Sequence, residues 1–293
     1  ECPSCHSIFP SNDFGPYFSS GIDERGLFDP KRADRSLLFN AEHTAPDDPK
    51  RSWAVDDGFG YVDGNGVEFR FIAYYAWKYW GHIQDGISIL ADAYLYSGDK
   101  EYAAKAAILL DRLADVYPSM DWKPYADRGW YHSDGNSNVG KIEGRIWECG
   151  AFNRMATSYD KILTGLDDQP ELYAFLARMA ERYHLPTPKG TRERLVANID
   201  QNLLECGMAA IRTGQIRGNV GMHHAAMAAA AIALNREPET SRALDWLFEP
   251  DGGGLPGIIM GRIDRDGIGN EASPGYSLGW ISNLSNTANR LAA

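Results

Sequence analysis

The feature that most restricts the fold is a run of segments whose apolar residues recur every three or four positions. Lys100–Val116 is the plainest. Ala103, Ala107, Leu110 and Ala114 fall on one helical face, and Pro118 stops the segment. Ile83–Tyr96, Ile142–Leu163, Pro170–Tyr183, Arg192–Thr213, Asn219–Leu234 and Ser241–Phe248 read the same way. Ahead of them, Phe69, Phe71, Tyr74, Tyr75, Trp77, Tyr79 and Trp80 crowd one helix on all sides, which predicts a deeply buried helix or one lining a groove. Alternation is nearly absent, with one short strand expected around Gly257–Ile263. The fold class is therefore all-α, built of antiparallel helical hairpins. Hairpins curled into an incomplete (α/α) toroid fit both the number of helices and the long loops at their ends. No residue-level repeat is evident.

Residues 1–66 read as an irregular N-terminal arm packed on a main domain over 67–293. Prolines, glycines and aspartates punctuate it. Asp29–Asp34 can open a short helix, with Asp29 as cap and Pro30 in the first turn. Asp56–Gly66 reads as a turn-rich hairpin whose aspartates are solvated; their spacing does not fit an EF-hand calcium loop.

The chain has 293 residues, 44% of them hydrophobic and 24% charged, which is a globular balance. A net charge of −11 argues against nucleic-acid and membrane-surface partners. It leaves an acidic substrate open, because a cleft can be lined by Arg, Lys and His inside an acidic protein. No apolar run reaches the ~18–20 residues that span a bilayer. No signal peptide is visible. The chain starts abruptly at Glu1-Cys2 and stops soon after Tyr276 within a helical pattern, so a piece of a longer protein is expected. The 8 Trp and 15 Tyr suit a sugar-binding cleft as well as a core.

Cys2 and Cys5 form a CxxC knuckle beside His6. A structural zinc or other divalent cation would need further ligands, from His43 or from outside the chain. A redox pair and two free thiols are the alternatives. Cys149 and Cys206 lie in helical patterns as small buried hydrophobes.

Two polar clusters carry the chemistry. The first is Arg217-Gly218-Asn219-Val220-Gly221-Met222-His223-His224, with Asn219 as the expected N-cap of an alanine-rich helix. The second is Gly269-Asn270-Glu271-Ala272-Ser273-Pro274-Gly275-Tyr276-Ser277, where Pro274-Gly275 sets Tyr276 at a helix start. There the helix dipole and nearby cations favour a phenolate. Asn, His and Tyr without a carboxylate pair are poor hydrolase machinery. They suit abstraction of a proton next to a carboxylate, as at C5 of a uronic acid. Amide, His or Arg groups stabilise the enolate-like intermediate. A His or Tyr removes the proton, and a Tyr hydroxyl protonates the leaving oxygen. That β-elimination needs neither water nor an organic cofactor. Arg217, Arg128, Trp130, His132, Asn270 and Glu271 are the candidates for gripping substrate. An (α/α) glycoside hydrolase is the second reading, with Asp127, Asp134, Glu148 and Glu271 as possible carboxylates. A non-catalytic glycan-binding domain is the third.

Gly218–His224 followed by Asn270–Ser277 resembles the Asn/His and Tyr motifs of heparinase II/III-like polysaccharide lyases, a group that includes alginate lyases. Ile142–Glu148 and Phe28–Asn40 are similar to that group as well. The resemblance implies an (α/α) toroid followed by C-terminal β-sandwich domains, in a secreted or periplasmic enzyme acting on acidic polysaccharides such as alginate, heparan or ulvan. It implies Tyr276 as catalytic acid, and in some members base too. It implies Asn219 and one of His223 and His224 as carboxylate neutraliser and base. Many members have His directly after the Asn; here three residues intervene before His223, so the choice of histidine stays open.

Overall fold

The computed structural model describes residues 1–4, 6–128, 136–271 and 273–292. Helices dominate it: α1 Phe14–Gly21, α2 Phe71–Ser97, α3 Lys100–Val116, α4 Lys123–Ala126, α5 Glu148–Ile162, α6 Pro170–Arg182, α7 Arg192–Ile199, α8 Cys206–Arg212, α9 Met222–Leu234, α10 Glu239–Trp246, α11 Leu255–Arg262 and α12 Pro274–Ala292. Among the described residues, strand is confined to the pair β1 Tyr61–Val62 and β2 Glu68–Phe69 and two isolated bridges. The protein is all-α. No helix among the described residues is long and apolar enough to cross a membrane.

The chain forms two compact units. One comprises residues 1–83 and 178–188, the other 84–177 and 189–293. In the first, the organising group is a buried carboxylate. Asp56 Oδ1 accepts the N–H groups of Gly58 (2.8 Å) and Gly60 (2.9 Å), and Oδ2 those of Phe71 (2.9 Å) and Ile72 (3.0 Å). Asp56 therefore satisfies the orphan donors at the start of α2 from a distant loop. The expectation of solvated turn carboxylates fails here, because Asp56 is completely buried. Phe9 stacks on Phe71 beside it, with ring centroids 5.2 Å apart. Asp29 does cap a turn through Lys31 N–H (2.9 Å), but the turn does not propagate into a helix. The tyrosines and Trp77 in the first turns of α2 stand exposed, not buried.

A repeat that the sequence hides is visible in the turns. Asp23, Asp63 and Asp264 each open an Asp-x-x-Gly turn. The Asp N–H donates to the carbonyl four residues on, at 2.8–2.9 Å, and the glycine N–H donates back to the Asp carbonyl at 2.9–3.0 Å. The glycines, Gly26, Gly66 and Gly267, have φ of 75°, 79° and 83°, which a residue with a Cβ rarely adopts. The flanking residues pair as Ile22–Phe28, Val62–Glu68 and Ile263–Gly269. Only two or three flanking residues match between copies, too few to stand out in a linear reading.

The second unit is built around α9. It is apolar all round, and nearly every residue from His224 to Leu234 is buried. Its alanines let α5, α8, α10 and α12 pack against it. Gly221, at φ 85°, starts it in place of Asn219, whose side chain makes no capping bond. A Cβ on Gly221 would lie 2.5 Å from Asn283 Cβ, so α12 approaches there as only glycine permits. Helices α7 and α8 form one rod with a π-helical segment, Asp200–Glu205, between them.

Two expectations are corrected. Residues 142–147 form turns ahead of α5, and Gly144 in them has φ 82°. Gly257–Arg262 belongs to α11, because Gly254 in a left-handed conformation and Pro256 in the first turn open a helix. The Ile258-Ile259-Met260 run mimics a strand but lies on a helix surface.

Candidate active site

One cleft of about 810 Å³ lies within the second unit. It is assembled from separate segments: the turn before α5, the end of α8 and the loop to α9, the turn after α10, α11, and the start of α12. Three of the sequence-predicted residues of the first cluster, Arg217, Asn219 and His223, line it, as does Glu271 of the second.

The two histidines part ways. His224 is completely buried and donates its Nε2–H to the carbonyl of Gly253 (2.7 Å). It therefore supports the cleft wall without reaching the cleft. His223 lies 4.1 Å from it between ring centroids and faces the cleft. Its Nδ1, like that of His224, is buried without a hydrogen-bond partner among the described residues, and the Gly218 backbone hydrogen-bonds its ring. Burial, helped by His224 and by the Arg217 charge, pushes its pKa down to about 3. The ring is thus neutral throughout the neutral pH range. Asn219, freed from capping, offers its amide to the same space.

Three arginines that sequence reading did not select join Arg217: Arg145, Arg212 and Arg262. None of the four has a carboxylate partner among the described residues. Arg145 is fixed by its Nε–H to the Gly214 carbonyl (2.7 Å), and its own carbonyl accepts the Arg217 N–H (3.1 Å). The acidic lining is Asp251 and Glu271, so four cations face two carboxylates. In a chain of net charge −11 the cleft is locally cationic. Gly252 and Gly253 form its wall because the loop closes directly on α10. A Cβ at Gly252 would lie 2.5 Å from the Trp246 carbonyl, and one at Gly253 2.7 Å from the Leu247 carbonyl. Trp246 and Trp280 complete the apolar lining.

Tyr276 does not line the cleft. It stands exposed in the first turn of α12, one turn before Trp280, which does. The i, i+4 spacing puts both on one side of that helix. Asn270 is exposed outside the cleft, its N–H bonded to the Arg262 carbonyl (2.9 Å). Buried Ser277 holds this loop through the carbonyls of Gly269 (2.9 Å) and Glu271 (3.2 Å). Arg128 does not line the cleft, and Trp130 and His132 lie outside the described residues.

Of the carboxylates weighed for hydrolysis, Glu148 is completely buried, Asp127 pairs with Lys123 (2.6 Å), and Asp134 lies outside the described residues. Cys5 does too, while Cys2 is a free thiol and His43 is engaged by Asp48 (2.9 Å). Among the described residues no three His, Cys, Asp or Glu side chains are grouped to hold a metal.

Comparison with known protein families, characterised proteins and solved structures finds no match to this chain.

Proposed function

We propose that this chain is the helical part of a polysaccharide lyase that cleaves a uronic-acid polymer by β-elimination. The observation that carries the reading is the group of four arginines, none with a carboxylate partner among the described residues, that lines one cleft with His223 and Asn219. Cations and an amide fixed at a substrate carboxylate make the neighbouring C–H acidic, since the charge that develops there is already compensated. Arg217 and Asn219 take the carboxylate at the reacting sugar. His223, which lines the cleft, or Tyr276 accepts the C5 proton. Tyr276 delivers a proton to the leaving glycosidic oxygen, and the outlying arginines bind carboxylates of neighbouring sugars. Alginate is the first polymer to try, then heparan- and ulvan-type chains. On this reading the helical hairpins form an incomplete (α/α) toroid, and the enzyme works in the periplasm or outside the cell.

The test is incubation with each polymer while following the unsaturated uronate near ~235 nm, a product that only elimination generates. Wild-type protein is expected to raise that absorbance, and Tyr276→Phe to remove most of it. Reducing ends without absorbance would replace elimination by hydrolysis, for which Asp251 and Glu271 in the same cleft are the available pair. Binding without turnover would make the domain a glycan-binding one.

A further inference from the structure

A buried carboxylate is expensive unless its oxygens are hydrogen-bonded, and the first turn of a core helix is more cheaply filled by a hydrocarbon. Glu148 begins α5 and is completely buried. Its Oε1 accepts the Tyr117 hydroxyl (2.9 Å) and its Oε2 accepts the Glu143 N–H (2.8 Å). The second bond reaches back into the turn that presents Arg145 to the cleft.

That turn is tied on its other side to the loop carrying Arg217. Gln215 Nε2–H donates to the Gly140 carbonyl (3.0 Å), Arg145 Nε–H to the Gly214 carbonyl (2.7 Å), and Arg217 N–H to the Arg145 carbonyl (3.1 Å). Within the turn, Lys141 N–H bonds the Gly144 carbonyl (3.0 Å), and its ammonium bonds the Tyr117 carbonyl (2.8 Å). Gly140 is needed where it stands, since a Cβ there would lie 2.2 Å from the Gly144 carbonyl carbon. The path from Tyr117 through Glu148 and Glu143 to Arg145 and Arg217 is thus continuous and hydrogen-bonded.

We infer that Glu148 is a positioning residue whose carboxylate sets the register of Arg145 against Arg217, and so the spacing of two anion-binding groups in the cleft. It touches no substrate. This role rests on the cleft reading above for its purpose but not for its test.

The first measurement needs no ligand. In uniformly ¹⁵N-labelled protein the Arg145 Nε–H, assigned by its loss in Arg145→Lys, is expected to be protected from solvent exchange. Glu148→Gln keeps an acceptor for Glu143 N–H and a partner for Tyr117, and should keep that protection. Glu148→Leu should lose it while circular dichroism stays helical. An unchanged Arg145 signal in Glu148→Leu overturns the inference. If Glu148→Leu does not fold, Tyr117→Phe together with Glu148→Asp, which shortens the reach to Glu143, takes its place with the same expected loss.

The second measurement is a double-mutant cycle in the affinity for polyuronate. Glu148→Leu should weaken binding at least tenfold in wild type and hardly at all in Arg145→Ala, with Glu148→Gln restoring it. Equal losses in both backgrounds would make Glu148 a general stabiliser and overturn the inference. If wild type binds no polyuronate, the lyase reading has failed, and the exchange measurement still decides the role of Glu148.

Discussion

The His224 ring and the Gly253 carbonyl meet at 2.7 Å across 29 residues of chain. This bond joins the first turn of the central helix to the glycine wall of the cleft. It fixes the His224 proton on Nε2 and holds that edge of the ring against the wall. His224→Leu strands the Gly253 carbonyl and is expected to cost about 2–4 kcal/mol, read by urea denaturation. His224→Gln, which can still donate, should recover part of it. A His224→Leu protein as stable as wild type would show that the bond holds nothing.

Gly221 combines a left-handed backbone with the closest approach of α12. Gly221→Ala forces its Cβ onto Asn283 and is expected to destabilise by at least ~2 kcal/mol. Because α12 must shift, turnover should fall further than the stability change alone explains. Thermal melts and rates on the same sample separate the two effects.

The arginines should behave in the opposite way. Arg262 and Arg217 are exposed and lack carboxylate partners among the described residues, so Arg→Ala at either should alter stability by no more than ~0.5 kcal/mol. Affinity for polyuronate should drop by about tenfold for each, with a weaker salt dependence, because each contributes a charge–charge contact. Isothermal titration at two salt concentrations tests this. Unchanged affinity in both variants would remove the cleft from consideration as a polyanion site.

Stability should carry two opposed pH limbs. Burial lowers the His223 pKa from 6.5 to about 3. Between those values the unfolded chain binds the extra proton, so this residue makes stability rise with pH until about 6.5. Burial raises Glu148 from 4.5 to about 7 and Asp200 from 3.8 to about 6. There the folded chain holds the extra proton, so their contribution is lost as pH climbs through those windows. Chemical denaturation across pH should show His223→Asn flattening the acid limb and Glu148→Gln the neutral one. Slopes of the reverse sign in those variants would refute the assignment.

The helices were largely legible because their burial repeats along the chain. Lys100–Val116 shows in sequence the apolar face it buries, and α9 advertises its burial through uninterrupted small residues. Arg217, Asn219 and His223 were legible because they sit close together on one loop and helix start. Arg145, Arg212 and Arg262 were not, since they converge from three segments with nothing local to mark them. Their one available signal, arginines beside glycines in an acidic chain, is common on any surface. Asp56 misled for a related reason. An aspartate among glycines looks solvated until the backbone donors that surround it are folded into place.

The π-helical segment Asp200–Glu205 has an evolutionary corollary. Such a segment is an α-helix with one residue inserted, and its wider turn keeps the faces before and after it aimed at their own neighbours. Upstream, Asn198 reaches Asp111 Oδ1 (2.8 Å); downstream, Gly207 lies where a Cβ would meet the Phe152 ring at 2.2 Å. Deleting one residue between 200 and 205 would rewind the rod and turn Gly207 by about 100° away from Phe152. A relative lacking the inserted residue, aligned without a gap there, would match the wrong residues for the whole remainder of α8. Kinship through this rod is therefore best sought with a one-residue offset allowed inside it.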